Sequence, residues 1–97
     1  MSNVILDVCA DPASFASGAT IQLVIEYRSN KNGRIVLSSS FPIKLSPSSA
    51  ALKAAPNGGL AQFAVAIVRQ DGQSTPMRCE ICSEFFDSSL DFFVEVA

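Results

Sequence analysis

The chain has 97 residues, 7 Lys and Arg against 9 Asp and Glu for a net charge of -2, 16% charged and 48% hydrophobic residues. A chain this short holds one core and leaves little room for a substrate cleft between lobes, and without a basic field it has no general attraction for nucleic acid. No run approaches the roughly 20 apolar residues needed to span a bilayer, so membrane insertion is not expected, whereas the low charge leaves a neutral surface suited to protein contacts.

In chain order, Val4, Leu6 and Val8 alternate with Ile5, Asp7 and Cys9 as far as Asp11-Pro12, where proline removes a ladder donor; the period of two predicts a first strand. After the Ser17-Gly18 turn, Ile21, Leu23, Ile25 and Tyr27 alternate with Gln22, Val24, Glu26 and Arg28, the clearest strand of the sequence, apolar on one face and mostly wet on the other. Turn chemistry from Ser29 to Gly33 ends it. Ile35 to Ser40 reads as a third strand. Pro42-Ile43-Lys44-Leu45 reads as a short edge segment, because Pro42 cannot donate in a central position.

Residues 46–55 combine a capping Ser46, Pro47 suited to a first helical position and an alanine-rich body, stopped by Pro56-Asn57-Gly58-Gly59. They predict a short helical turn near residues 47–54, with an irregular connection or a weak strand as the alternative. Leu60 to Arg69 is a long β-rich run and Met77 to Phe85 alternates again. Leu90, Phe92, Val94 and Val96 oppose Asp91, Phe93 and Glu95 at the end. The fold class that follows is all-β, an immunoglobulin-like two-sheet sandwich of about seven strands, with residues 1–97 as a single domain. Asp71-Gly72 could close a local hairpin, which the immunoglobulin order forbids between its fifth and sixth strands, so a barrel or a different strand order stays open.

The series Asp11-Pro12, Phe15, Gly18, Ile21 and Leu23, then Gly33-Arg34-Ile35-Val36-Leu37, then Gly59-Leu60-Ala61, Phe63 and Val65, and the closing Phe93-Val94-Glu95-Val96-Ala97 resembles the bacterial immunoglobulin-like domains of invasin and intimin type. The resemblance spans nearly the whole chain and implies a spacer, stalk or adhesive module, in some cases a decoration of phage virions, with no catalysis. Cys79 would lie on the inner face of the sixth strand. Leu23 stands where an antibody domain has the second cysteine and the chain has no Trp, so the antibody-type disulfide and its packed Trp are missing.

Candidate chemistry is sparse. Cys79 and Cys82 form a C-x-x-C, but on a strand positions three apart point to opposite faces, so Cys79 is expected in the core and Cys82 outside. Pairing of Cys9 with Cys82 would require both to face out on adjacent strands. No metal or other cofactor is expected. With no histidine the usual general base is missing, so no enzyme is expected. Three cysteines and no signal-like start give a cytoplasmic reading, with a domain excised from a secreted or virion protein as the alternative.

Surface residues therefore carry the functional expectation. Adjacent Phe85-Phe86 and Phe92-Phe93 must each send one ring outward. Phe93 and Phe86, with Val36, Val24 or the Ala64-Ala66 row, form an apolar contact patch on this reading unless loops or the alanine-rich segment cover it. Loops at Asn30 to Gly33, Pro56 to Gly59 and Asp87 to Ser89 are expected to gather at one end, bringing Lys31, Asn32 and Arg34 near Asp87. The expected function is a non-catalytic interaction or scaffold module, binding a protein partner or itself as a homodimer, as an accessory part of a bacterial or phage assembly. The alternative is a small ligand- or carbohydrate-binding domain using Glu80, Glu84, Asp87, Asp91 and Glu95.

Overall fold

Alternating side chains with one apolar face can be buried only against another such face, and the chain does this by stacking two sheets. The computed structural model describes residues 3–97. One sheet has four strands in the order β1 (Val4–Asp11), β3 (Thr20–Ser29), β7 (Ala55–Arg69), β5 (Ile43–Ser46). The other has five, in the order β2 (Ser14–Phe15), β9 (Ser88–Val96), β8 (Met77–Phe85), β4 (Gly33–Ser39), β6 (Ser49–Leu52). In immunoglobulin lettering the first is A-B-E-D, and β4, β8 and β9 are C, F and G. Every pairing is antiparallel except the short β2, which runs parallel to the end of β9.

The core is the sum of the inward rows. Ile21, Leu23, Ile25 and Tyr27 of β3 and Val65 and Ile67 of β7 face Ile35 and Leu37 of β4, Cys79, Ile81 and Phe85 of β8, and Phe92, Val94 and Val96 of β9. The expected inside-outside phase holds on β3, β4, β8 and β9. β1 differs: a bulge between Ile5 and Asp7 turns Leu6 outward, so that Ile5 and Val8 both face the core instead of a strict alternation.

Residues 47–54 form no helix. Ser49–Leu52 is β6, an edge strand antiparallel to β4. The reason is visible in its burial: Leu52 is buried and Ala50 half-buried while Ala51 and Lys53 face out, a period of two. A segment this short gains more from the free edge of β4 than from an unsupported helical turn. β2 and β6 raise the expected seven strands to nine. Asp71-Gly72 closes no hairpin, since β7 and β8 belong to different sheets and residues 70–76 cross between them.

That crossing is anchored by one buried cation. Arg69, 6% exposed in its side chain, pairs with Asp71 at 2.9 Å and donates to the carbonyls of Thr75 and Val96, the latter at 3.1 Å. Its own amide donates to Ser17 Oγ at 2.8 Å. One side chain thus fastens the crossing loop and the end of β9 together.

Candidate functional site

The end of the sandwich where β3 runs into β4 and β8 into β9 gathers most of the predicted loop residues. The register Phe85–Ser88 leaves Phe86 and Asp87 as a two-residue hairpin loop. Phe86 has φ 54°, the only non-glycine with positive φ among the described residues. Glycine usually takes the first position of such a loop, because a side chain there costs about 1–2 kcal/mol. Here an aromatic residue holds it, 41% exposed.

The surrounding residues fix where that ring stands. It meets Phe85 edge-on at 4.7 Å between centroids, and Phe85 in turn meets Tyr27 edge-on at 5.7 Å. The Tyr27 hydroxyl donates to the Lys53 carbonyl at 2.7 Å. Room for the ring comes from Gly33, where a Cβ would lie 2.5 Å from Phe86 Cε2 and 2.7 Å from its Cζ. Lys31 Nζ stands 5.0 Å from the Phe86 centroid, within cation–π range. The loop that carries Lys31 is tied down by buried Ser29, whose hydroxyl accepts from the Lys31 amide at 3.3 Å and reaches the Lys31 carbonyl and Asn3 Oδ1.

The structure therefore brings Lys31, Phe86 and Asp87 to one tip, but not in the expected pairing. Neither Lys31 nor Arg34 forms an ion pair with Asp87 among the described residues, and Arg34 donates instead to Ser49 Oγ at 3.1 Å on β6. Asn32 is used internally: its Oδ1 accepts from the Ala54 amide at 2.8 Å. Pro56 to Gly59 is not a loop. It lies inside β7, where the register shifts opposite Tyr27 and Ser29 and Gly58 takes φ 95°.

Phe92 is buried and Phe93 is 46% exposed, as the alternation requires. Phe93 nevertheless sits among charges: Arg78 stacks on it at 4.1 Å, Glu80 is its cross-strand neighbour, and Asp91 and Glu95 flank it two residues away. Exposed Val36 pairs across to Glu84 and Ser49, while Val24, Ala64 and Ala66 belong to the outer face of the other sheet. The apolar patch expected to join them does not form, because their strands fall in separate rows and separate layers.

The acidic residues spread along the outer face of β8 and β9, with Glu80, Glu84, Asp91 and Glu95 on alternate positions. Two shallow depressions touch them, one lined by Ser38, Ser39, Ser40, Glu80 and Cys82 and the other by Glu84, Phe86, Asp87, Ser88 and Ser89. Among the described residues no group of three His, Cys, Asp or Glu is placed to hold a metal ion, and no helix is long and apolar enough to cross a membrane.

The cysteines fall as the strand geometry requires. Cys79 is buried and Cys82 half-exposed on the opposite face; Cys9 lies on the outer face of the other sheet, so Cys9 and Cys82 cannot meet within one chain. All three thiols are pushed above their ordinary value: Cys9 chiefly by donating to Asp7, at 3.3 Å, Cys82 chiefly by its hydrogen bond to Asp91, and Cys79 by burial. Held protonated, they should alkylate slowly at neutral pH. In a timed iodoacetamide experiment read by mass spectrometry, Cys9 is expected to label first and Cys79 only after unfolding; rapid modification of Cys79 in the native domain would contradict its placement.

The two most exposed large apolar side chains among the described residues, Phe41 at 78% and Leu60 at 74%, were not singled out by the sequence pattern. Leu60 falls in a β-rich run whose neighbours on each side the pattern could not specify. No protein-family model matches the chain, and no curated protein matches it.

Proposed function

We propose that this domain is a non-catalytic protein-binding module whose contact is centred on Phe86 and Lys31 at one tip of the sandwich. The observation that carries the reading is the Phe86 backbone: an exposed aromatic residue is held in a conformation that favours glycine, with Gly33 opposite leaving the space for its ring. Strain kept at an exposed position is characteristic of binding sites, and an aromatic ring beside a cation is the composition of interface hot spots. The pinned loop and the stacked rings beneath would let the tip bind with little ordering cost. A partner of matching chemistry offers an apolar pocket for the ring and an acidic group for Lys31.

The sheet-face contact through Phe93 and the carbohydrate reading both have less support. Arg78 already occupies the Phe93 ring, and the carboxylates stand on a broad sheet face with only shallow hollows beside them. The kinship with invasin- and intimin-type domains, and with it an accessory place in a bacterial or phage assembly, belongs to the same proposal, supported by the strand order.

Phe86→Gly separates binding from folding. It relieves about 1–2 kcal/mol of backbone strain and forfeits about 1–2 kcal/mol of ring and cation contacts, so stability should change by less than about 1 kcal/mol. In a displayed-peptide selection on the immobilised domain, enriched peptides should pair apolar with acidic residues. Their affinity should fall about thirtyfold or more on Phe86→Gly, as for a hot-spot residue. Lys31→Glu should turn the preference toward basic peptides. Peptides that bind Phe86→Gly as well as the parent domain would end the proposal.

A further inference from the structure

We propose that the open edge of β7 over Leu60–Val65 pairs antiparallel with the same edge of a second copy of this chain. Unpaired strand edges invite pairing, and natural sheets blunt them. β1 carries a bulge at Leu6 and outward Asp7 and Asp11. β9 is covered at its end by β2, carries Asp91 along its open part and lies beside β1, where the Ile5 amide donates to Ser88 Oγ at 3.1 Å. β5 is 4 residues long between Pro42 and Pro47 and bears Lys44. β6 is 4 residues long and runs into Lys53.

β7 is different. It is 15 residues long, and on the side away from β3 its partner β5 covers only Ala66 to Arg69. Pro56 and the register shift at Gly58 blunt its beginning. Between these lies Gly59-Leu60-Ala61-Gln62-Phe63-Ala64-Val65, with neither charge nor proline, and Leu60 there is 74% exposed. With no charge and no proline, this window lacks the features that keep other strand edges from pairing.

A second copy is the occupant the charges favour. Pairing across a two-fold axis sets a surface against itself, so it tolerates no unbalanced charge along the line of contact. The β7 edge meets that condition, whereas β1 or β9 would set carboxylates against their own copies. With the axis at Gln62, Leu60 lies across from the partner's Ala64 on the outer face and Ala61 across from the partner's Phe63 on the inner face. The two four-stranded sheets become one eight-stranded sheet. Because the two β7 strands run in opposite directions, the two Phe86 tips point away from each other, which would let the pair bridge two partners; only that last consequence rests on the binding proposal above.

Sedimentation of the whole chain over a wide concentration range tests it. The parent domain should show a monomer–dimer equilibrium. Gln62 is exposed, so Gln62→Lys and Gln62→Glu should leave the circular dichroism spectrum and melting temperature unchanged. Each should weaken the dimer about fivefold by setting like charges opposite one another, and an equimolar mixture of the two should restore it. Leu60→Lys, whose new charge lies beside Glu26 in the monomer, should likewise favour the monomer. Phe86→Gly should leave the equilibrium untouched. A parent chain that stays monomeric at all concentrations, or a dimer indifferent to both Gln62 variants, overturns the inference.

Discussion

Phe85→Ala is expected to remove about 3–5 kcal/mol of stability, the cost of deleting a fully buried aromatic ring. Phe85 is 0% exposed and is the largest side chain in the fully buried set. It stands edge-on to both Tyr27 and Phe86 and so joins the core to the tip. For a domain of this size the loss corresponds to a fall in melting temperature of about 15–30 °C and approaches the whole stability of a marginal fold. Urea or thermal unfolding followed by circular dichroism measures it. Fluorescence of Tyr27, the single tyrosine in a chain without Trp, reports the same event from the adjoining ring.

The same substitution should uncouple the tip. A Cβ on Gly33 would lie 2.9 Å from Phe85 Cε1 as well as close to Phe86, so Gly33→Ala overpacks the parent domain and is tolerated better once the Phe85 ring is gone. The two changes together should therefore cost less than their sum, a non-additivity expected only of groups in contact. Strict additivity would mean that the two positions do not share this space.

Arg69→Ala should cost about 3 kcal/mol, because the charge-assisted hydrogen bonds of a nearly buried guanidinium are lost and the Val96 and Thr75 carbonyls are left without their donor. The loss should concentrate at one end, with hydrogen exchange rising through residues 70–76 and the last residues of β9 before the β3–β7 centre. Asp71 adds a pH signature. The Gln73 amide and then Arg69 hold its carboxyl below the ordinary carboxylate value. A carboxyl whose folded value is depressed contributes stability that is present above its unfolded value, and loses it as pH falls through the folded value. Acid should thus weaken the parent domain, and Arg69→Ala should flatten that limb without abolishing it, since the Gln73 amide remains. Denaturant midpoints at neutral and acid pH check both the sign and the residual slope.

Particular residues show how far the sequence could be read. The period of two in β3, β4, β8 and β9 placed Ile25, Ile35, Ile81 and Val94 inside and Cys82 and Phe93 outside, because strand sterics force that alternation wherever the strand lies. Pro42 marked an edge for an equally local reason. The alanines of residues 50–55 misled in the opposite direction: alanine accepts either geometry, and the free edge of β4, which no local pattern reports, decided for a strand. The bulge at Leu6 and the register shift at Gly58 were also invisible, since they answer to the twist of neighbouring strands.

The candidate site divides along the same line. On β9 the adjacent phenylalanines are enough to send Phe93 outward, and the sequence alone determined that, together with the all-β class and the burial of Cys79, whereas Phe86 stands outside because it occupies the hairpin loop. Which neighbours those rings meet depends on strand order and register, and these are set by contacts between residues far apart in the chain. Only the tertiary structure could surround Phe93 with Arg78 and Glu80, seat Phe86 over Gly33 beside Lys31, and leave Leu60–Val65 of β7 as the one long neutral edge among the described strands.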